Sequence, residues 1–285
     1  MQAADRVPPT VLVLAAVTSV QFGAALAKSL FDEVGAGGTV FLRVLLAAAI
    51  LVVAWRPALR GRTRRELAPV LWFGVALAGM NLAFYSSLAR IPLGIAVTLE
   101  FVGPLAVAIA GSRRPRDLAW VGLAAAGILL LSDPGSSELD AVGVGLALLA
   151  GAFWAAYILL SARVGREFAG GDGLAIAMTV AAVLLVPVGL ADGGGSLLVP
   201  WVLGLALAVA VLSSAIPYTL EMEALRRLPA GVFGVLMSVE PAVAAVAGFV
   251  VLGEELAERE LLAIVLVVMA SAGAARNARV PARDA

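Results

Sequence analysis

Residues 88–111 read LARIPLGIAVTLEFVGPLAVAIAG, and residues 225–248 read LRRLPAGVFGVLMSVEPAVAAVAG. Laid over one another without a gap, at a constant offset of 137, they match at ten of 24 positions. Arg90 falls on Arg227, Pro92 on Pro229, Gly94 on Gly231, Leu99 on Leu236 and Pro104 on Pro241. An apolar alphabet generates chance matches, but two prolines twelve residues apart, repeated at one offset, point to a duplicated fold. The acids are not duplicated: Glu100 falls on Met237, and Glu240 on Gly103. Working outward from the two copies divides the chain into residues 1–134 and 135–285, one repeat each.

Composition places these repeats in a bilayer. Of 285 residues 62% are hydrophobic and 14% charged, and mean hydropathy is +1.02, which is too little polar surface to cover a soluble globule. Net charge is zero, and the scattered basic residues form no nucleic-acid patch. The absence of Cys and His removes disulfides and the usual zinc, haem and iron–sulfur ligands, so no cofactor and no metal is expected. The first apolar run lacks a small-residue cleavage site and is expected to be kept as a span.

On the ruler of about 20 apolar residues per crossing, ten spans fall near 11–31, 38–55, 68–89, 93–111, 118–132, 141–161, 173–191, 199–221, 230–251 and 261–275. Breakers such as Asp133-Pro134-Gly135 and Gly193-Gly194-Gly195 separate them. With the amino terminus inside, the inner connections hold 16 arginines and the outer ones only Arg90 and Arg259. Positive loops stay cytoplasmic, so both termini are expected inside. Five spans per half is an odd number, and the halves must therefore enter the membrane in opposite senses. The fold class expected is an all-α integral membrane protein of ten transmembrane helices in two inverted five-helix repeats, an architecture that recurs in secondary transporters.

Ionisable groups inside spans cost on the order of 2.5–3.5 kcal/mol on insertion scales and are functional candidates by default. Glu100 is the first candidate for proton or substrate work, against a structural pairing with Arg43. Glu240 is the second, against a neutral acid bonded to backbone at the Pro241 kink. Arg43 and Lys28 are candidates for a substrate carboxylate, with Lys28 snorkelling or pairing with Asp32 as the alternative. Gln21 lies on the face of Lys28, and Asn81 and Tyr85 share a face at i and i+4. All three serve equally as cavity lining or as hydrogen-bond glue. Tyr157, Tyr218 and Trp154 are the aromatic candidates of the second half, with packing as the alternative. Glu221 and Glu223 are explained by local pairing with Arg226 or Arg227. Pro92, Gly94, Pro104, Pro229, Gly231 and Pro241 are hinge candidates. Cations, anions and amides together offer what a zwitterion with a hydroxylated side chain needs, and equally what a structural ion-pair network needs. No phosphate-binding loop of the G-x-x-x-x-G-K-[ST] type and no nucleophile elbow occurs, so an ATP-driven pump and a membrane enzyme are disfavoured. Coupling is expected from an ion gradient.

The segments FGAALAKSLF (22–31), GMNLAFYSSLARIPLGIAVTLEFVGPLAVAIAGSRRPRD (79–117) and PYTLEMEALRRLPAGVFGVLMSVEPAVAAVAGFVVLGE (217–254) resemble the EamA branch of the drug/metabolite transporter superfamily. Within it they are most similar to bacterial inner-membrane threonine/homoserine exporters. The resemblance implies a multi-pass protein of the bacterial inner membrane, with a small-molecule substrate and lipid as its partners. It further implies efflux of small hydrophilic amino acids driven by the proton-motive force. It puts weight on Lys28, Arg43, Asn81, Glu100, Glu221 and Glu240 without assigning each a contact. The alternatives are a broader metabolite or drug exporter of the same fold, and a membrane enzyme or assembly factor.

Overall fold

In the computed structural model, residues 7–57, 62–110, 117–131, 139–168, 171–225, 227–228, 233 and 236–277 are described. These form helices, and among the described residues there is no strand. The helices are α1 (Pro9–Lys28), α2 (Phe31–Trp55), α3 (Arg64–Leu88), α4 (Leu93–Glu100), α5 (Val102–Ala110) and α6 (Asp117–Leu131). Then follow α7 (Ala141–Glu167), α8 (Asp172–Gly193), α9 (Pro200–Ala210), α10 (Ile216–Leu225), α11 (Glu240–Ala247) and α12 (Glu258–Asn277). Among the described residues six helices are long and apolar enough to cross a membrane: Pro9–Lys28, Phe31–Trp55, Arg64–Leu88, Ala141–Glu167, Asp172–Leu198 and Pro200–Tyr218. Leu93–Val107, Ala119–Leu130 and Glu240–Leu252 are shorter and equally apolar. Trp72, Leu159, Val53, Phe249 and Val250 lie more than 60% exposed, an outer surface that suits lipid and not water. The chain is a multi-pass membrane protein.

The residues at the helix ends explain where the elements stop. Pro8 precedes α1, with Pro9 in its first turn. Thr63 and Glu66 exchange bonds in a capping box at the start of α3. Asp140 caps α7 by accepting from the Val142 and Gly143 amides. Gly35, at φ 66, kinks α2 where a side chain would be strained, and the Asp192 carboxylate then accepts from Gly37 N at 3.0 Å.

The fourth apolar segment is not one continuous helix. A turn at Phe101 divides it into α4 and α5, and Pro104, which has no N–H, leaves the Glu100 carbonyl without its helical donor. Gly151 of α7 lies against that carbonyl, since a Cβ on Gly151 would come within 2.6 Å of it. Gly103 returns the contact, with no room for a Cβ beside the Gly151 carbonyl. The second copy turns at Ser238 and Val239, just before α11. Ser238 is the overlay partner of Phe101, so the break recurs at the same position of the repeat. Hinge candidates Pro229 and Gly231, the Asp133-Pro134-Gly135 breaker and the proposed boundary between residues 134 and 135 lie outside the described residues.

Helices of the two halves interleave. α2 packs along α8, α6 along α12 and α4 along α11, while α3 lies on α7 and α8, and α1 on α10 and α11. Gly189 meets Phe41 where Gly171 meets Trp55, so α2 and α8 run antiparallel. Trp120 reaches Gly273 and Gly127 reaches Ala263, giving α6 and α12 the same relation. Gly94 touches the Ala245 backbone, and Gly248 the Leu93 side chain, where α4 meets α11.

Candidate functional site

Where α1, α2, α3 and α4–α5 face α7, α10 and α11, the bundle encloses a cavity of about 510 Å³. Arg43, midway along α2, reaches it. Its Nη1 donates to Asn81 Oδ1 at 2.5 Å, its Nη2 to the Ser213 carbonyl at 3.1 Å, and its guanidinium lies 5.4 Å from the centre of the Tyr85 ring. Asn81 in turn donates to the Leu77 carbonyl at 2.8 Å, so its amide is used at both ends. Arg43 Nε is buried and has no partner among the described residues.

Glu100, 8% exposed, also lines the cavity. The alternative reading, a structural pairing of Glu100 with Arg43, is not found: among the described residues no ion pair joins them within 4.0 Å, because Asn81 and Ser213 occupy the guanidinium instead. Glu240, 6% exposed, lines the opposite wall. Gln21 Nε2 donates to Glu240 Oε1 at 2.8 Å, leaving Glu240 Oε2 and Gln21 Oε1 without partners. Of the reading in which a neutral Glu240 bonds helix backbone at the kink, the backbone bond is not found among the described residues, where Gln21 of α1 is the hydrogen-bond partner. Tyr85, Tyr157, Tyr218 and Pro104 line the same space, while Pro241 is buried beside Glu240 in the first turn of α11.

Lys28 does not reach the cavity. Its Nζ lies 2.6 Å from Glu254 Oε1, and the second oxygen of Glu254 accepts from Leu93 N at 2.8 Å, in the first turn of α4 behind Pro92. The alternative of a pairing with Asp32 is replaced by this contact because α1 ends at Lys28 and its last turn faces the segment before α12. Arg90 and Asp140, 2.9 Å apart, close the same end of the bundle. Asp140 is held well ionised: the Gly143 amide and the Arg90 guanidinium push its carboxyl below the usual carboxylate range.

Glu221 departs from expectation as well. It lines the cavity instead of pairing at the helix end, so three carboxyls and, among the described lining residues, one cation share the space. Ser213 and Ser271, buried hydroxyls without partners, also line it. A pair of serines in the middle of an apolar run, Ser213-Ser214, was the available signal for the first. The wide π turn over Val211–Ala215 that presents them has no sequence signature. For Glu254 the signal was fainter still, since its partners are 226 and 161 residues away.

Known proteins give this geometry a context. Residues 141–275 match the EamA-like transporter family. Over 273 residues, 95% of this chain and 92% of its relative, the sequence is 48% identical to the threonine/homoserine exporter RhtA of Escherichia coli (strain K12). It is 47% identical over the same span to the protein of that name in Salmonella typhimurium (strain SL1344). It is also 31% identical over 244 residues, 80% of each chain, to the uncharacterized transporter YwfM of Bacillus subtilis (strain 168). A solved crystal structure with 21% identity shares the fold, at a TM-score of 0.64 over 95% of this chain and 99% of that one. With such identity over nearly its whole length, the chain belongs to the EamA-like transporter family.

Proposed function

We propose that this chain exports small hydroxylated amino acids, of the threonine and homoserine type, across the bacterial inner membrane by proton-coupled alternating access. The observation that carries the reading is the cavity itself: one guanidinium with a free edge, facing carboxyls that have spare oxygens, in a membrane protein close in sequence to named exporters. Arg43 Nε receives the substrate carboxylate. Glu100 takes the ammonium or, when the site is empty, a proton, with Glu240 as the alternative. Because both ligands use one carboxyl, binding one displaces the other, which couples outward movement of the zwitterion to inward movement of protons.

The scaffold we propose has ten transmembrane helices, both termini in the cytoplasm, and two inverted halves, residues 1–134 and 135–285. The packing supports it. Exchanging α1 with α7, α2 with α8, α3 with α9–α10, α4–α5 with α11 and α6 with α12 returns many of the same neighbours: α3 on α7 becomes α10 on α1, and α5 on α7 becomes α11 on α1. Elements that pack on their own counterparts and run antiparallel to them are what an inverted repeat requires. In the state described here, Lys28–Glu254–Leu93 and Arg90–Asp140 close the outer end, while the cavity wall continues along α7 to Ser161 and along α10 to Glu221, toward the cytoplasm.

A second reading, a broader metabolite exporter, is favoured by the apolar part of the wall, where Phe84, Phe101, Trp154 and Phe233 would accept a bulkier solute. Proteoliposomes assayed with labelled threonine and homoserine, with and without a pH gradient, separate the possibilities. Gradient-stimulated flux of both amino acids is expected. Flux indifferent to the gradient would refute proton coupling, and flux of bulky solutes alone would replace the substrate.

A further inference from the structure

We propose that Ser213 and Tyr85 form the subsite that reads the substrate's side-chain hydroxyl, and that they set the selectivity of this exporter. The inference rests on the proposed function and deepens it. Both residues already touch Arg43: Ser213 through its carbonyl, which accepts from Nη2 at 3.1 Å, and Tyr85 through its ring, 5.4 Å from the guanidinium. Both are buried, 3% and 1% exposed, and both line the cavity. Among the described residues neither Ser213 Oγ nor Tyr85 Oη has a hydrogen-bond partner of good geometry, although the Tyr85 hydroxyl lies close to the Arg43 guanidinium. A hydroxyl taken out of water and left unpaired is costly, and one that lines a cavity recovers that cost when a solute with a hydroxyl binds there. The two residues contact Arg43, the one cation among the described lining residues, whose Nε has no partner there. An amino acid seated there by its carboxylate brings a hydroxyl on the β or γ carbon into the same neighbourhood.

Local structure holds the subsite in place. The π turn Val211–Ala215 presents Ser213, and Gly23 of α1 has no side chain because a Cβ would run into Ser213 Oγ. Tyr85 is wedged between Phe31 and Phe84, with ring centres 6.0 and 6.1 Å away, so its hydroxyl has a fixed address. Ser214 supplies an internal control: it too is a buried, unpartnered serine, but it does not line the cavity.

The consequence is discrimination between threonine and valine, which have nearly the same shape and differ in the hydroxyl. A site built to bond a hydroxyl penalises the analogue that lacks it, because its own polar groups then stay unpaired. The experiment is counterflow of labelled threonine in proteoliposomes, competed by unlabelled threonine or valine. Wild type should prefer threonine by roughly tenfold or more. In Ser213→Ala and in Tyr85→Phe the preference should fall severalfold, and in Ser214→Ala it should stay as in wild type. Retention of the wild-type ratio in both Ser213→Ala and Tyr85→Phe would overturn the subsite. Should either variant fail to fold, the wild-type ratio decides alone: valine competing as well as threonine overturns the proposal. Absence of amino-acid flux in wild type would instead sink the function beneath it.

Discussion

Arg43 is fixed by groups 38 and 170 residues away, Asn81 and the Ser213 carbonyl, and two of its forked N–H groups are committed to them. Lysine offers a point charge without the fork, so it cannot hold both partners and still face a carboxylate. Arg43→Lys should lower threonine flux roughly tenfold or more, the scale of one lost charged hydrogen bond, with the protein still folded and inserted. Among the described residues no ion pair holds the Glu100 carboxyl, which is the condition of a group kept for a ligand. Glu100→Gln should abolish gradient-driven flux, read in the same proteoliposomes, and normal export by that variant would transfer the role to Glu240. At this scale the sequence was informative about which residues matter and silent about their partners. Arg43, Asn81, Tyr85 and Glu100 stood out as polar groups in apolar spans. That Lys28 belongs to Glu254, and Gln21 to Glu240, follows only from helices meeting across 226 and 219 residues.

At the scale of elements, the two copies of the proline-bearing segment cross their neighbours in different chemistry. In the first, Gly103 meets Gly151, and in the second the overlay partner of Gly103, Glu240, meets Gln21. The two crossings thus sit at the same overlay position, one made of bare glycines and the other of an acid and an amide. Gly103→Ala should therefore cost about 1–3 kcal/mol through overpacking and lower Tm. Gly145, equally helical but open to its surroundings, should gain about 0.5–1 kcal/mol as alanine. Sequence alone does not distinguish these two glycines, since both lie in small-residue runs of apolar helices. The outer closure has its own test. Glu254 holds α1 and α4 together, and Gly248 stays bare to leave room for its carboxylate. In a Glu254→Ala background, a cysteine at Ala24 in the cavity wall should react faster with an impermeant thiol reagent added outside. Unchanged labelling would show that the latch does not hold this end shut. The neighbouring Asp140 has its carboxyl pushed down by the Gly143 amide and Arg90. A depressed acid contributes its stabilisation above its unfolded pKa and loses it only as pH falls through the folded one. Asp140 thus stays ionised across about pH 5–8, well above the usual carboxylate value near 4. Asp140→Asn should leave the shape of the transport pH profile in that range unchanged, because the profile originates in the cavity.

For the whole molecule, much of the plan was legible in the chain. Apolar run lengths marked the helices, and the expected start at 141 coincides with that of α7, whereas α3 begins before the expected residue 68, at Arg64 behind the Thr63 cap. The interruptions were harder: the turn at Phe101 and the π turn over Val211–Ala215 depend on which neighbour takes the freed carbonyls. Which helices touch was not legible either, because the strongest packing pairs α2 with α8 and α3 with α7, elements from opposite halves. The native chain has no cysteine, so sidedness is directly testable. Glu255→Cys should be labelled from the periplasm, and Arg163→Cys only after the membrane is made permeable. The account's central claim is that the two halves exchange openings around the cavity, and distances across its two ends measure this most directly. Spin labels at Ser29 and Glu255 span the outer end, and labels at Thr10 and Arg166 span the inner one. In proteoliposomes, adding threonine together with a pH gradient should produce a population with a longer outer and a shorter inner distance. Both distances remaining single and unchanged, in a preparation that transports threonine, would contradict alternating access by these halves.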